Sequence, residues 1–323
     1  MVLLCVLCVL CGSIQRAVTE TPLELRYHRA LDALVAQVRE DRSVVAAILG
    51  GSLSHDTVWE RSDIDLVLVT QDERKSGPGS YTLSADGVHV HAWLIQRAEL
   101  RRIVDGALHN SFIHAFLAKG RLLYSHDDTL AELMARVRDV GERDTELQLF
   151  QAGIEALGPL DKAHKWMITR GDLHYTALWI LYAATPIARL EIVGRRLIAD
   201  REVIPQAAKL DPALFDTIYT GLLDRPKTRD AVQAALDAAS GYVRTRAPRL
   251  FAPIVAHLRD VREARSATEI DDHFRRHVGV EGVSLACEYL AHEGLIGRAS
   301  TPVKLTKRSN VEVQELAFYA LGA

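Results

Sequence analysis

The sequence predicts an α+β protein in three parts. A small mixed sheet with flanking helices occupies residues 21–143, an all-α domain 144–248, and a winged-helix-like module 249–323. Three observations carry this reading. Short apolar, β-branched runs bounded by glycine or turn residues (Val44–Leu49, Ile64–Val69 and Val88–Ile95) read as buried strands. Helical periodicity fills residues 144–247 with almost no strand signal. Beyond Pro248 the order becomes helix, turn, helix and a short ribbon.

Bulk composition narrows the class. The chain has 323 residues, of which 48% are hydrophobic and 25% charged, as in a soluble globular protein. A net charge of −3 advertises no polyanionic partner at whole-chain level. Aromatics at 6% argue against a surface of stacking platforms for single-stranded nucleic acid. Three of the four cysteines, Cys5, Cys8 and Cys11, crowd the N-terminus, leaving only Cys287 in the body. That is no disulfide framework, and a reducing, cytoplasmic setting is expected. The apolar run Met1–Cys11 has no Lys or Arg before it and falls short of the ~20 residues a span needs. It reads as an upstream start, an atypical leader or a cysteine-bearing tail, so residues 1–20 stand apart from the fold.

Within the first domain, Leu31, Leu34, Val35 and Val38 recur at helical spacing over Glu24–Val38. The strand Val44–Leu49 follows and ends on Gly50-Gly51-Ser52. After the second strand, the Gly-, Ser- and Pro-rich stretch Ser76–Gly87 reads as a loop leading to the third. Helices are expected at about 97–105, 109–119 and 131–140, with Arg121–Tyr124 as a fourth short strand and Ser125–Asp128 as a cap. In the helical domain, breaks are expected at Gly158-Pro159, Gly171, Pro205, Pro212 and Pro226. In the last module, Ser266-Ala267-Thr268-Glu269 is a capping box opening a helix to about His277. A second helix runs from about Glu281 to Glu293, and Val303–Thr306 reads as a strand.

The chemistry concentrates in Ser62-Asp63-Ile64-Asp65-Leu66-Val67-Leu68. A strand alternates its faces, so Ile64, Leu66 and Leu68 enter a core while Asp63 and Asp65 share the other face. Two neighbouring carboxylates repel, and a divalent cation between them relieves the repulsion. Mg²⁺ suits such a place, because it takes one or two protein carboxylates together with phosphate oxygens. Glycines at the end of the first strand let the backbone approach a ligand closely, and their amides with the Ser52 hydroxyl can hold phosphate.

In spacing, Gly51-Ser52, ten residues, then Asp63-Ile64-Asp65 resembles the nucleotidyltransferase superfamily that includes DNA polymerase beta. The layout is most similar to its antibiotic-modifying (aminoglycoside and lincosamide) branch, in which a helical domain also follows the catalytic one. The resemblance covers roughly residues 44–95, and more loosely extends to about 140. It implies transfer of a nucleoside monophosphate, expected to be AMP from ATP, to an acceptor hydroxyl with Mg²⁺. It also implies a lysine of the helical domain near the triphosphate, for which Lys165 is the candidate. Lys162 and Lys165 equally read as solvated helix lysines.

One departure matters. The family places a third carboxylate on the next strand, where it binds metal or serves as base. Here Val88-His89-Val90-His91-Ala92-Trp93 puts His89 and His91 on that face. A neutral histidine can accept the acceptor's proton, and it ligates Mg²⁺ poorly. Three readings stay open: a histidine base, a third acid from elsewhere (Asp86, Glu99 or Asp105), or a nucleotide-binding relic without transfer. His273 and His277, four apart on a helix, read as a surface face. Cys287 reads as a core thiol. The C-terminal helix Glu281–Glu293 carries acids and no Lys or Arg, which argues against reading DNA, although Arg298, Lys304, Lys307 and Arg308 make the following ribbon basic.

Overall fold

The computed structural model describes residues 22–55, 58–72, 79–104, 112–136, 142–199, 202–306 and 308–322. Residues 1–20, Asp105 and Lys307 lie outside that set. The chain divides into two compact units, Met1–Val104 with Lys119–Ala135, and Asp105–Ala118 with Arg136–Ala323.

The first unit opens with α1 (Pro22–Glu40). Its Tyr27, Ala30, Leu31 and Leu34 are buried, one stripe at helical spacing. Strands β1 (Val44–Gly50), β2 (Ile64–Thr70), β3 (Ser80–Ala85) and β4 (Val88–Gln96) follow. Helix α2 (Arg97–Val104) comes next, and after α3 (Phe112–Lys119), which belongs to the second unit up to Ala118, the first unit resumes with strand β5 (Arg121–Ser125) and helix α4 (Thr129–Arg136). The five strands form one sheet in the order β3-β4-β2-β1-β5. β2 and β4 run parallel, and the other neighbours are antiparallel. Seven consecutive buried residues in β1 explain its unbroken apolar sequence, since a strand covered on both faces has no polar side. Ala47, Leu49, Ile64, Leu66, Val90 and Ala92 share one core with the α1 stripe. On the opposite face Val67, Val69 and Ile95 are buried too, so β2 has an open face only at its start, where Asp65 stands.

β3 lies inside the stretch read as a loop. It is an edge strand, mostly exposed and rich in Ser and Thr, so no hydrophobic alternation announces it. The turn does: Asp86 and Gly87 both have positive φ, 47° and 70°, and join β3 to β4 as a two-residue hairpin of the Asp-Gly kind. At α4, the expected cap role of Ser125 falls instead to Asp127, whose carboxylate accepts from the Thr129 amide and hydroxyl.

The second unit is helical over most of its length: α5 (Glu142–Thr169), α6 (Leu173–Gly194), α7 (Val203–Leu210), α8 (Pro212–Phe215), a π-helical turn (Asp216–Thr220), α9 (Gly221–Asp224), α10 (Arg229–Leu250) and α11 (Ala252–Val261). The break expected at Gly158-Pro159 is absent. α5 continues through it, as α6 continues through Pro186 and α10 through Pro248. A proline removes one helical hydrogen bond; burial of Leu157, Leu160, Ile187 and Ala247 in the common core opposes that loss. Gly171, at φ 62°, does end α5, and Asp172 caps α6 by accepting from the Tyr175 amide. α6 is long and apolar enough to cross a membrane, but 61% of its apolar window is buried in this core, the mark of a central helix.

A short β6 (Arg265–Ser266), α12 (Ala267–His277), α13 (Val283–His292), β7 (Ile296–Val303) and β8 (Val313–Ala320) complete the chain. The capping box at Ser266 and Glu269 is formed in both directions. The ribbon strand ends at Val303 rather than beginning there, and pairs with β8 in a three-stranded sheet β6-β8-β7. Cys287 is fully buried on α13, and burial pushes its thiol up to about 12.

Candidate active site

Strand register assembles the site. β2 lies between β1 and β4, so Gly50, Asp65 and His91 pair across three adjacent strands in one row. Thr82 of β3 extends the row beyond His91. Asp63 stands one residue before β2, at the end of a turn closed by two bonds: the Ser62 amide donates to the Trp59 carbonyl at 2.9 Å, and the Trp59 amide donates to the Ser62 hydroxyl at 3.1 Å. Tyr27 pins that turn from α1. Its hydroxyl donates to the Ser62 carbonyl at 2.7 Å and reaches the Trp59 carbonyl at 3.3 Å. Burial pushes the Tyr27 phenol up, Arg26 opposes it, and the nearby Asp63 charge adds a smaller upward push. Sequence reasoning missed Tyr27, which does not stand out from a helical stripe, and named Ser62 only as the start of the acidic motif.

Asp63, Asp65 and His91 each offer a ligand atom, and these atoms all lie within 4.8 Å of one another. Asp63 is exposed, while Asp65 and His91 are half-buried. No other group of three acids, histidines or cysteines meets that distance among the described residues. His89 pairs with Ser84, is exposed and lies outside the cluster. The His91 ring packs on Trp93, centroids 4.2 Å apart, which holds the imidazole in place. Asp86 serves the hairpin turn, and neither it nor Glu99 of α2 joins the cluster.

Gly51 meets the cluster from the other side. Its φ is +64°, and a Cβ built there would lie 2.0 Å from Asp65 Oδ2. The Asp65 carboxylate therefore rests directly against the Gly51 backbone, and only glycine fits. The loop closes on itself through the Gly51 carbonyl, which accepts from the Ser54 amide and hydroxyl. Ser52 begins the short 3-10 turn Ser52–His55. The glycine-serine loop and the acidic pair are thus adjacent in space. Two carboxylates and an imidazole converging beside this loop fit a divalent cation.

Lys165 is exposed on α5, in the other compact unit. That unit has a concavity of about 760 Å³ of its own, lined among others by Asp161, His164, Arg244, Glu288 and Arg298. His273 and His277 are joined by a residue the sequence did not connect to them: His257 of α11 stacks on His273 at 3.9 Å.

No protein-family model matches the chain, and no curated protein matches it in sequence. Among solved structures, it resembles a nucleotidyltransferase-like protein from Exiguobacterium sibiricum. The match has a TM-score of 0.57 over 91% of this chain and 99% of that one, at 16% identity. The chain has a nucleotidyltransferase-like fold. At that identity the likeness is one of fold, and the chemistry must be argued from Asp63, Asp65, His91 and Gly51.

Proposed function

We propose that the protein is a nucleotidyltransferase moving a nucleoside monophosphate, AMP from ATP, to an acceptor hydroxyl. The observation that carries this reading is the convergence of Asp63, Asp65 and His91 within 4.8 Å, beside a loop whose Gly51 admits no side chain. In the reaction, the acceptor oxygen bonds to the α-phosphorus, the bond to the diphosphate bridging oxygen breaks, and diphosphate leaves. The hydroxyl proton passes to a base or to solvent. Asp63 and Asp65 would hold a dication such as Mg²⁺ with the triphosphate; bound there, it neutralises phosphate charge. The Gly51–Ser52 backbone and hydroxyl would orient the phosphates. His91 stands for the third carboxylate that the resembling enzymes carry on this strand, and the resemblance assigns a triphosphate-binding role to a lysine of the helical domain, for which Lys165 is the candidate. The helical domain after the catalytic one is the ground for placing the chain near the antibiotic-modifying branch, acting inside the cell on a small molecule, a protein or an RNA end.

That no further carboxylate joins Asp63 and Asp65 among the described residues favours a second reading, a nucleotide-binding regulator without transfer. A screen with α-labelled ATP against small-molecule and protein acceptors separates the two. Transfer of label that is lost in Asp63→Asn supports the enzyme. Magnesium-dependent ATP binding without diphosphate release supports the regulator.

A further inference from the structure

We propose that Asp63, Asp65 and His91 form a mixed oxygen–nitrogen site that selects a first-row transition dication over Mg²⁺. The inference rests on the reading of these residues as a metal site, and it concerns which ion they choose. Three observations support it. The ligand atoms lie within 4.8 Å of one another. Around an octahedral ion with bonds of about 2.1 Å, donors stand roughly 3 Å apart when adjacent and roughly 4.2 Å when opposite. Small side-chain rotations therefore bring all three onto one ion. His91 is fixed where it stands: it sits in register with Asp65 on the parallel neighbour strand, half-buried, its ring against Trp93. An ion at the acidic pair has an imidazole beside it. Of the other candidate acids, Asp86 and Glu99 do not join the cluster and Asp105 lies outside the described residues, so no described carboxylate competes for the third place.

The donor chemistry then decides. Mg²⁺ demands oxygen, holds its waters tightly and gains little from an imidazole. A first-row transition dication accepts carboxylates and imidazole together, and its affinity for nitrogen rises along the series from Mn²⁺. His91 thus biases the site away from Mg²⁺, and an aspartate in its place would restore an all-oxygen set.

Cobalt is the probe, because its visible absorption reports nitrogen ligation. Co²⁺ is titrated into the full-length protein and then competed with Mg²⁺, with no nucleotide and no activity assay. The expected result is one Co²⁺ site that Asp63→Asn abolishes. His91→Asp is expected to weaken Co²⁺ by about tenfold or more while strengthening Mg²⁺, so that the preference narrows. His91→Gln, which keeps a polar side chain of similar size, is expected to lose Co²⁺ affinity without gaining Mg²⁺. Thermal melts of both variants confirm folding. A Co²⁺-to-Mg²⁺ ratio unchanged by either His91 variant overturns the inference, as does Co²⁺ binding that survives Asp63→Asn. A Co²⁺-to-Mg²⁺ ratio that neither His91 variant alters, beside label transfer from ATP that Asp63→Asn abolishes, would overturn the inference while leaving the transfer reading intact.

Discussion

Two carboxylate settings in this molecule differ in what surrounds the charge. Glu191, in the middle of the helical unit, is buried at 6% exposure. The Tyr242 hydroxyl donates to it at 2.7 Å, and Arg195, one turn on, bonds it at 2.6 Å. Tyr242 in turn carries the Arg246 guanidinium over its ring at 3.6 Å. Every neighbour lowers the cost of the charge, and the Tyr242 phenol is pushed well up by burial and by this bond. Asp63 and Asp65 are set the other way. The fold brings two acids together, adds an imidazole and presses a glycine against one of them. A charge surrounded by compensation serves the structure. Like charges gathered beside a backbone with no side chain await something positive.

The largest effect expected from breaking that contrast is at Gly51. The structure alters what this substitution tests: Gly51→Val clashes first with Asp65, not only with a bound phosphate. Dication binding measured by calorimetry in the absence of nucleotide should therefore be lost along with nucleotide binding. Ser52→Ala should leave dication binding intact and weaken nucleotide by about 1 kcal/mol. Normal dication binding in Gly51→Val would mean that Asp65 is not needed for the ion.

Glu191 sharpens the other half. Glu191→Ala should lower stability by roughly 1–3 kcal/mol, because the buried Tyr242 hydroxyl loses its partner. The paired change Glu191→Leu with Tyr242→Phe should recover much of that, since replacing both partners by apolar groups can be nearly neutral. Thermal unfolding reads both, and dication binding should be unchanged in either. Loss of dication binding in these variants would erase the distinction drawn between the two settings.

The sequence announced the site better than it announced the frame around it. The Gly51-Ser52 loop and the Asp63-Ile64-Asp65 strand were legible because local spacing and strand alternation fix both. The Asp65–His91 pairing followed only once β2 and β4 were known to be parallel neighbours. β3 escaped because an exposed edge strand needs no apolar pattern, although Asp86-Gly87 carried the turn signal. Pro159 misled because packing of α5 outweighed a local rule. Tyr27 and His257 act through contacts 35 and 16 residues distant in sequence, to Ser62 and His273, which no local pattern encodes.

His257 supplies the smallest effect. Burial, then His273, hold its pKa below the ordinary value; burial, then His277, do the same for His273; and burial lowers His164. The unfolded chain then binds more protons than the folded one near and below pH ~6.5, so stability rises with pH. It should be full above that value and fall as pH drops through it, by on the order of 1 kcal/mol after solvent screening. Melting temperatures from pH 8 to pH 5.5 check the slope, and the double variant His257→Gln/His273→Gln should flatten it.

The central claim is that Asp63 and Asp65 hold a dication together with a nucleoside triphosphate. Calorimetric titration of ATP into the wild-type protein, with and without Mg²⁺ or Mn²⁺, and into Asp63→Asn and Asp65→Asn, tests it most directly. The account predicts dication-dependent binding that both variants abolish while their melting temperatures hold or rise, because a like-charge repulsion has been removed. Equal ATP binding in wild type and Asp65→Asn, or binding indifferent to the dication, would contradict it.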